Sequence, residues 1–287
     1  MIVTIASGKG GTGKTSLAVN LARTLERTRD TPVQLLDCDV EEPNAHLFLT
    51  GTPLGEETIN IAVPDFNPDK CDACDKCVDF CQFNALASVG KTPLLFPELC
   101  HGCGGCMLVC PQDAIREKDY RIGVVKTARA GSITLKSGCL DIGVSLASTL
   151  VHALKERLED GITTILDAPP GTACQAVATL RGSDFVVLVT EPTPFGLHDL
   201  TLAVDTVRAL DLRFGVVINR VGVGDDRVQR YCAAEDIPIL LEIPDDRRVA
   251  EAYSRGELIV DALPDYLAHF AQLWHNIAHH AALEVAA

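Results

Sequence analysis

Eight of the chain's twelve cysteines fall between Cys71 and Cys110, in two runs with one spacing. The first is Cys71-x2-Cys74-x2-Cys77-x3-Cys81; the second is Cys100-x2-Cys103-x2-Cys106-x3-Cys110, with Pro111 next. Thiolates are soft ligands, and short spacers let one turning backbone wrap a compact iron–sulfur cluster. Structural zinc pairs two Cys-x2-Cys ends across a longer gap, and disulfides rarely persist in a reducing compartment, so both fit less well. A second stretch with chemistry in it lies at the N-terminus. Gly8, Lys9, Gly10, Gly11, Thr12, Gly13, Lys14, Thr15 and Ser16 follow the apolar run Ile2 to Ala6. After them Leu17, Ala18, Leu21, Ala22 and Leu25 recur at helical intervals. Strand, glycine-rich loop and helix form the context in which G-x4-GK-[ST] cradles nucleotide phosphates. Glycines let backbone N–H groups close on phosphate oxygens, and the helix N-terminus adds a favourable dipole. In that arrangement Lys14 reaches the outer phosphates and the Thr15 hydroxyl holds magnesium. A tight turn alone does not account for Lys-Thr in register.

The elements that must hold these residues can be read from the pattern of apolar runs. Val33–Leu36, Thr163–Leu166, Phe185–Val189, Phe214–Ile218 and Ile239–Ile243 are short and mostly apolar, as strands covered on both faces should be. Helical candidates lie near 143–158, 197–210, 225–235 and 246–256, with a closing helix over 265–283. This alternation predicts an α/β fold: a doubly wound parallel sheet with nucleotide at the strand C-termini. The cysteine block interrupts it. Pro64, Asn67-Pro68 and Arg121-Ile122-Gly123 mark surface junctions, giving a first phosphate-loop part at 1–64, an inserted domain at 65–122 and a second part of the phosphate-loop domain at 123–287. The 287 residues suffice for both. No stretch approaches the roughly 18 apolar residues of a membrane span, and no basic-then-apolar leader opens the chain, so the expectation is a cytoplasmic protein. A formal net charge of −14 disfavours non-specific binding to nucleic acid or acidic lipid.

The cysteine runs resemble those of a bacterial ferredoxin carrying two four-iron clusters, in which the fourth cysteine of each run serves the other cluster. That resemblance implies one cluster on Cys71, Cys74, Cys77 and Cys110 and another on Cys100, Cys103, Cys106 and Cys81. Gln82 stands where such a run usually has proline, which removes no ligand.

Lys9-Gly10-Gly11-Thr12-Gly13-Lys14-Thr15 resembles the deviant phosphate loop of the MinD, ParA and nitrogenase iron-protein class of ATPases. The resemblance implies that Lys9 reaches across a nucleotide-sandwich dimer to the partner's phosphates. Asp37-Cys38-Asp39 looks like the first switch of that class, with Asp37 helping to organise magnesium and Asp39 positioning the attacking water. Asp167-Ala168-Pro169-Pro170-Gly171 looks like the Walker B strand end and second switch, with Asp167 in the magnesium shell. Any one aspartate alone would more often be a cap or turn residue; three in order behind a phosphate loop favour catalysis. Asn219-Arg220 resembles the strand end placed against adenine, and Pro244-Asp245 the loop lining the base pocket. Glu191-Pro192-Thr193-Pro194-Phe195-Gly196 opens the helix after another strand and resembles family members bearing the same insert, with no chemical role assigned beyond loop and dimer contact.

The chain thus resembles a MinD-superfamily ATPase with an inserted two-cluster ferredoxin, a group associated with anaerobic redox and metal-cofactor systems. The implied cofactors are ATP, Mg2+ and two four-iron clusters. The implied partners are a second copy or a paralogue in an ATP-dependent dimer, and a redox or metal-cofactor protein. The function this suggests is ATP hydrolysis coupled to electron transfer; the rival is a non-redox scaffold for cluster or cofactor assembly. Two features set the chain apart from relatives. Residues 264–287 contain no Lys or Arg, so the basic amphipathic tail of membrane-cycling MinD proteins is missing. Cys139, Cys174 and Cys232 match no bridging-cluster motif and read as buried, inert thiols. His275, His279 and His280 read as a solvated helix face.

Overall fold

The computed structural model describes residues 1–29 and 31–282. In chain order the elements are β1 (Ile2–Ala6), α1 (Lys14–Arg29), β2 (Val33–Asp37), β3 (Thr52–Phe66), α2 (Lys76–Phe80), β4 (Leu86–Ala87) and β5 (Leu94–Leu95). Then come α3 (Gly105–Leu108), β6 (Ile115–Ala130), β7 (Ile133–Leu140), α4 (Ala147–Lys155), β8 (Thr163–Asp167), α5 (Cys174–Leu180) and β9 (Phe185–Thr190). The chain continues with α6 (Pro194–Ala209), β10 (Phe214–Val221), α7 (Arg227–Ala234), β11 (Ile239–Pro244), α8 (Arg247–Ser254), α9 (Ile259–Ala262) and α10 (Asp265–Ala282). The five apolar runs read as strands are β2, β8, β9, β10 and β11. The final position of the expected closing helix, residue 283, lies outside the described residues.

Nine strands form one sheet in the order β11-β10-β9-β1-β8-β2-β7-β6-β3. Neighbours are parallel from β11 to β7, as the apolar runs predict. The wholly parallel expectation is corrected at the other edge, where β6 runs antiparallel to both β7 and β3. β6 and β7 join through a tight turn at Gly131, whose φ of +62° suits a hairpin. The edge was hard to read because β3 is exposed on both faces from Thr52 to Thr58, so it carries no apolar alternation there.

Successive strand residues pack into opposite layers, the period-two rule of a sheet covered on both sides. Leu35, Ile165 and Val187 face α1 and α10, meeting Leu17, Leu21, Phe270 and Leu273. Leu36 and Leu166 face α4, meeting Leu150, Val151 and Leu154. Val186 and Leu188 face α6, meeting Leu200, Val204 and Val207.

The cysteine segment hangs between the ends of β3 and β6, its neck closed by the Asn67 N–H donating to the Ala114 carbonyl at 2.8 Å. Residues 65–122 therefore hold the end of β3, this segment and the first part of β6. Its two halves repeat each other in three dimensions. Left-handed residues recur at matching places: Ala73 (φ 58°) and Gly102 (63°), Asp75 (56°) and Gly104 (69°), Asn84 (54°) and Asp113 (48°). The pairing of Leu86 with Leu95 in β4 and β5 is matched by that of Phe66 with Ile115 in β3 and β6.

Candidate functional site

β1, β8 and β2 lie side by side, so their C-terminal ends bring three distant pieces of chain to one edge. Asp37 and Asp167 are direct partners across β2 and β8, and Ile5 pairs with Asp167 across β1 and β8. The loop after β1 therefore opens beside both aspartates. Two of its glycines are required by close approach: a Cβ at Gly8 would lie 2.1 Å from the Asp199 carbonyl oxygen, and one at Gly13 2.6 Å from the Asn219 amide nitrogen. Gly13 also has a φ of +98°.

Lys14 opens α1 and is only 7% exposed. Its Nζ lies 3.5 Å from the Lys9 carbonyl, which also accepts a 2.5 Å bond from the Ser7 hydroxyl. Burial pushes the Lys14 ammonium below its usual range, while Asp167 and Asp39 pull it back up. Burial pushes Asp37 up to about 6, against the lowering effect of the Ala45 and Asn44 N–H groups that bond its carboxylate at 2.9 and 2.8 Å. Asp167 is driven well above the carboxylate range, first by burial and then by Asp37, with Thr15 and Lys14 opposing. Asp39 is raised by burial, with Lys14 opposing.

Thr12 Oγ1 and both Asp167 oxygens are buried without a hydrogen-bond partner among the described residues. Buried polar atoms are nearly always paired, so three orphans beside a phosphate-type loop call for a ligand. The donor set suits magnesium and phosphate: Thr15 and Asp167 offer hard oxygens, and Lys14 and the loop N–H groups offer positive charge. A divalent cation would favour the ionised forms of Asp37 and Asp167, which burial first and neighbouring carboxylates second disfavour.

Lys9 pairs with Glu191 at 3.4 Å, and Glu191 also takes Arg220 at 3.1 Å. Asn219 donates from Nδ2 to the Thr12 carbonyl at 2.9 Å. Arg220 sits 3.9 Å from Asp245, whose N–H donates to the Val221 carbonyl. Pro244 pairs with Val221 across β10 and β11. The four residues expected around the base thus cluster at the phosphate-loop rim, with Asn219 bonded to the loop itself. Glu191 was legible only as part of a Pro-rich loop; no spacing rule ties it to Lys9. Ser7 was likewise missed, as was Lys155, which donates to the Ala178 and Thr179 carbonyls at 2.9 Å and ties α4 to the end of α5.

The cysteines line two separate cavities. One is lined by Cys71, Cys74, Cys77 and Cys110, together with Phe66 and Ile115. The other is lined by Cys81, Cys100, Cys103 and Cys106, with Ala62 and Pro64 of β3 and Glu117 of β6. Burial pushes the Cys77 and Cys100 thiols up, and that of Cys106 to about 11. The Ala114 N–H donates to Cys110 Sγ at 3.4 Å. Among the described residues, no three His, Cys, Asp or Glu side chains gather tightly enough to hold a single ion. Of the remaining cysteines, Cys38 and Cys232 are buried, and burial raises both thiols. The buried reading is corrected for two others: Cys174 is exposed at the start of α5, and Cys139 is half-buried on β7.

The family model of the CobQ/CobB/MinD/ParA nucleotide binding domain matches residues 3–259. An uncharacterized protein of Methanocaldococcus jannaschii is 32% identical over 265 residues, covering 90% of each chain. The crystal structure of the Pyrococcus furiosus cell division ATPase MinD superposes with a TM-score of 0.58 at 21% identity, covering 97% of this chain and 98% of that one. The septum site-determining protein MinD of Pyrococcus horikoshii, complexed with Mg-ADP, gives a TM-score of 0.57 at 19% identity, covering 95% and 93%.

Proposed function

Since the chain belongs to the CobQ/CobB/MinD/ParA nucleotide-binding family, we propose that it is a MinD/ParA-like ATPase that couples an ATP-driven dimer to electron transfer through two four-iron clusters. Phosphoryl transfer is catalysed largely by positioning and charge neutralisation. Lys14 and the N–H groups of residues 8–16 hold the phosphates of the protomer's own nucleotide. Thr15, Asp37 and Asp167 hold or orient magnesium, which when bound neutralises the β- and γ-phosphate oxygens. Asp39 orients the attacking water. Lys9 leaves Glu191 and reaches the nucleotide of a second subunit, either a copy or a paralogue. Asn219, Arg220, Pro244 and Asp245 bound the base end.

The observation that carries the redox half is the crossing of the cysteine sets. Cys110 lines the cavity of the first run and Cys81 that of the second. This is the grouping a two-cluster ferredoxin needs, and sequence neighbours alone would not produce it. Each iron of a four-iron cluster takes one cysteine, so the four sulfurs stand around the cluster rather than converging on one ion. The clusters, when bound, supply one-electron transfer toward a redox or metal-cofactor protein. No helix among the described residues is long and apolar enough to cross a membrane. The test is anaerobic purification followed by metal and sulfide analysis, which should give about eight iron and eight sulfide per chain. Redox titration followed by electron paramagnetic resonance should then differ with and without ATP and magnesium. Tightly bound zinc in place of iron, even after anaerobic reconstitution, would overturn the cluster reading.

A further inference from the structure

We propose that the two cysteine sets are unequal. Cys81, Cys100, Cys103 and Cys106 form an inner set joined to the first switch, whereas Cys71, Cys74, Cys77 and Cys110 form an outer set that is not. The redox consequence rests on the cluster reading above; the connection itself does not.

The connection can be followed bond by bond from the nucleotide site. The Cys38 N–H donates to the Asp167 carbonyl at 2.9 Å, tying the first switch to the second. Two residues on, Val40 is pressed against β7: a Cβ at Gly138 would lie 2.6 Å from Val40 Cγ1. The Val40 carbonyl accepts from the Leu140 N–H at 2.8 Å. Asp141 follows, its N–H donating to the Ile122 carbonyl at 2.9 Å and its carboxylate gripping Arg121 at 2.8 and 3.1 Å. The same loop reaches Ser145, whose hydroxyl donates to the Glu98 carbonyl at 3.1 Å. Glu98 stands two residues before Cys100.

Packing follows the same route. Cys38, Val40, Leu146, Ile61, Ala85 and Cys100 belong to one buried apolar cluster. Gly102 of the inner loop sits on β3, where an added Cβ would lie 3.1 Å from the Ala62 carbonyl oxygen. Of the outer set, Cys77 lies outside the switch cluster, in a separate small cluster with Leu86 and Ile115 against which Cys106 and Met107 of the inner loop also pack. The side-chain bonds of the outer loops stay within the segment: Gln112 to Asp72, Ser88 to Asp75, and Lys70 to the Asp113 carbonyl. Cys81 and Leu95 pack against both clusters, and the two sets meet around them.

Densely packed side chains move together, so displacement of the first switch on nucleotide binding is transmitted to Glu98 and Cys100 before it reaches Cys71 or Cys74. The inner cluster therefore senses nucleotide more directly than the outer one. Linkage requires the reverse effect: the state of the inner cluster changes nucleotide affinity by the same factor.

Hydrogen–deuterium exchange of the full chain, with and without ATP and magnesium at a concentration that protects residues 8–16, tests this. Exchange at residues 96–104 and 141–146 should change by about fivefold or more, the lower end of ordinary coupling, while 71–80 changes less than about twofold. Ser145→Ala should at least halve the response at 96–104 and leave nucleotide affinity unchanged. No response at 96–104, an equal response at 71–80, or a full response in Ser145→Ala would overturn the route. Iron content measured on the same samples separates the two claims. Iron-free protein with the expected exchange pattern keeps the route and sinks the clusters; iron-loaded protein without it does the opposite.

Discussion

The nucleotide end and the cysteine segment solve the problem of placing reactive groups in opposite ways. At the nucleotide end, Lys9, Lys14, Asp37, Asp167, Glu191 and Asn219 come from far apart in the chain and are positioned by the ends of parallel strands. Their charges are held under the sheet's own packing, which leaves Thr12 and Asp167 with unpaired buried oxygens. In the cysteine segment the eight thiols come from one short stretch and are positioned by repeated left-handed turns. The small buried cluster within the segment holds Cys77, Leu86 and Ile115. The first site is built before its ligand arrives and carries strain that the ligand relieves. The outer half of the second has little core of its own, so on the cluster reading metal binding would supply folding free energy there.

The largest effects should come from the two lysines of the phosphate loop. Lys14→Ala should weaken ATP binding about 100-fold, the loss expected for a charge-assisted contact to phosphate. Lys9→Ala should bind ATP nearly normally and lose hydrolysis on the order of 1,000-fold, as for other cationic groups supplied across an interface. Asp39→Ala should bind ATP, hydrolyse it poorly and accumulate as dimer on a sizing column. Normal turnover by Lys9→Ala would sink the cross-subunit role.

Removing iron should then separate the two regions. Chelator-stripped protein should lose exchange protection across the outer loop at 71–80 while β1 and β9 stay protected and ATP affinity changes by less than about threefold. A segment that keeps its protection without metal would erase the contrast between a preformed site and a metal-folded one.

A smaller effect probes the strain at the nucleotide end. Asp167→Asn removes one of two facing buried carboxylates and should stabilise the nucleotide-free chain by about 1–3 kcal/mol while abolishing magnesium-dependent hydrolysis. The pH dependence has a defined sign. Asp37 titrates at about 6 in the folded chain and near 3.8 when unfolded, so its contribution to stability is fully present below about pH 4 and is lost as pH rises through 6. Urea unfolding of nucleotide-free protein should show this fall between pH 4 and 6, and saturating Mg-ATP should flatten it. Stability rising across that window would contradict the burial of Asp37.

Much of this contrast was legible in the sequence, for identifiable reasons. Buried parallel strands are apolar on both faces, so β2, β8, β9, β10 and β11 announced themselves, and the aspartates closing β2 and β8 followed. The cysteine spacing was legible because the chemistry fixes it. The strands β3, β6 and β7 were not: β3 is exposed over half its length, and β6 combines charged positions Arg116 to Asp119 with a buried stretch at Ile122 to Val125. The pairing of Lys9 with Glu191 was invisible because it spans β1 to β9 and depends on register alone. The attachment of the cysteine segment to the sheet through Ser145 and Glu98 depends in the same way on where the β7–α4 loop lands.

The smallest expected effect uses the internal repeat to compare the outer and inner halves of the cysteine segment directly. Ala73 and Gly102 occupy matching left-handed positions, with φ of 58° and 63°. A Cβ in that conformation costs about 1–2 kcal/mol, part of which glycine returns through greater freedom in the unfolded chain. Ala73→Gly should therefore stabilise the metal-loaded protein by about 0.5 kcal/mol. Gly102→Ala takes on the conformational cost and also places a Cβ 3.1 Å from the Ala62 carbonyl oxygen of β3. It should destabilise by about 2 kcal/mol. The difference between the two substitutions, read from chemical denaturation of iron-loaded protein, measures how firmly the inner loop is pressed onto the sheet. If Gly102→Ala is as mild as the change at Ala73, the inner loop rests on β3 no more closely than the outer one, and the contrast between the halves loses its structural basis.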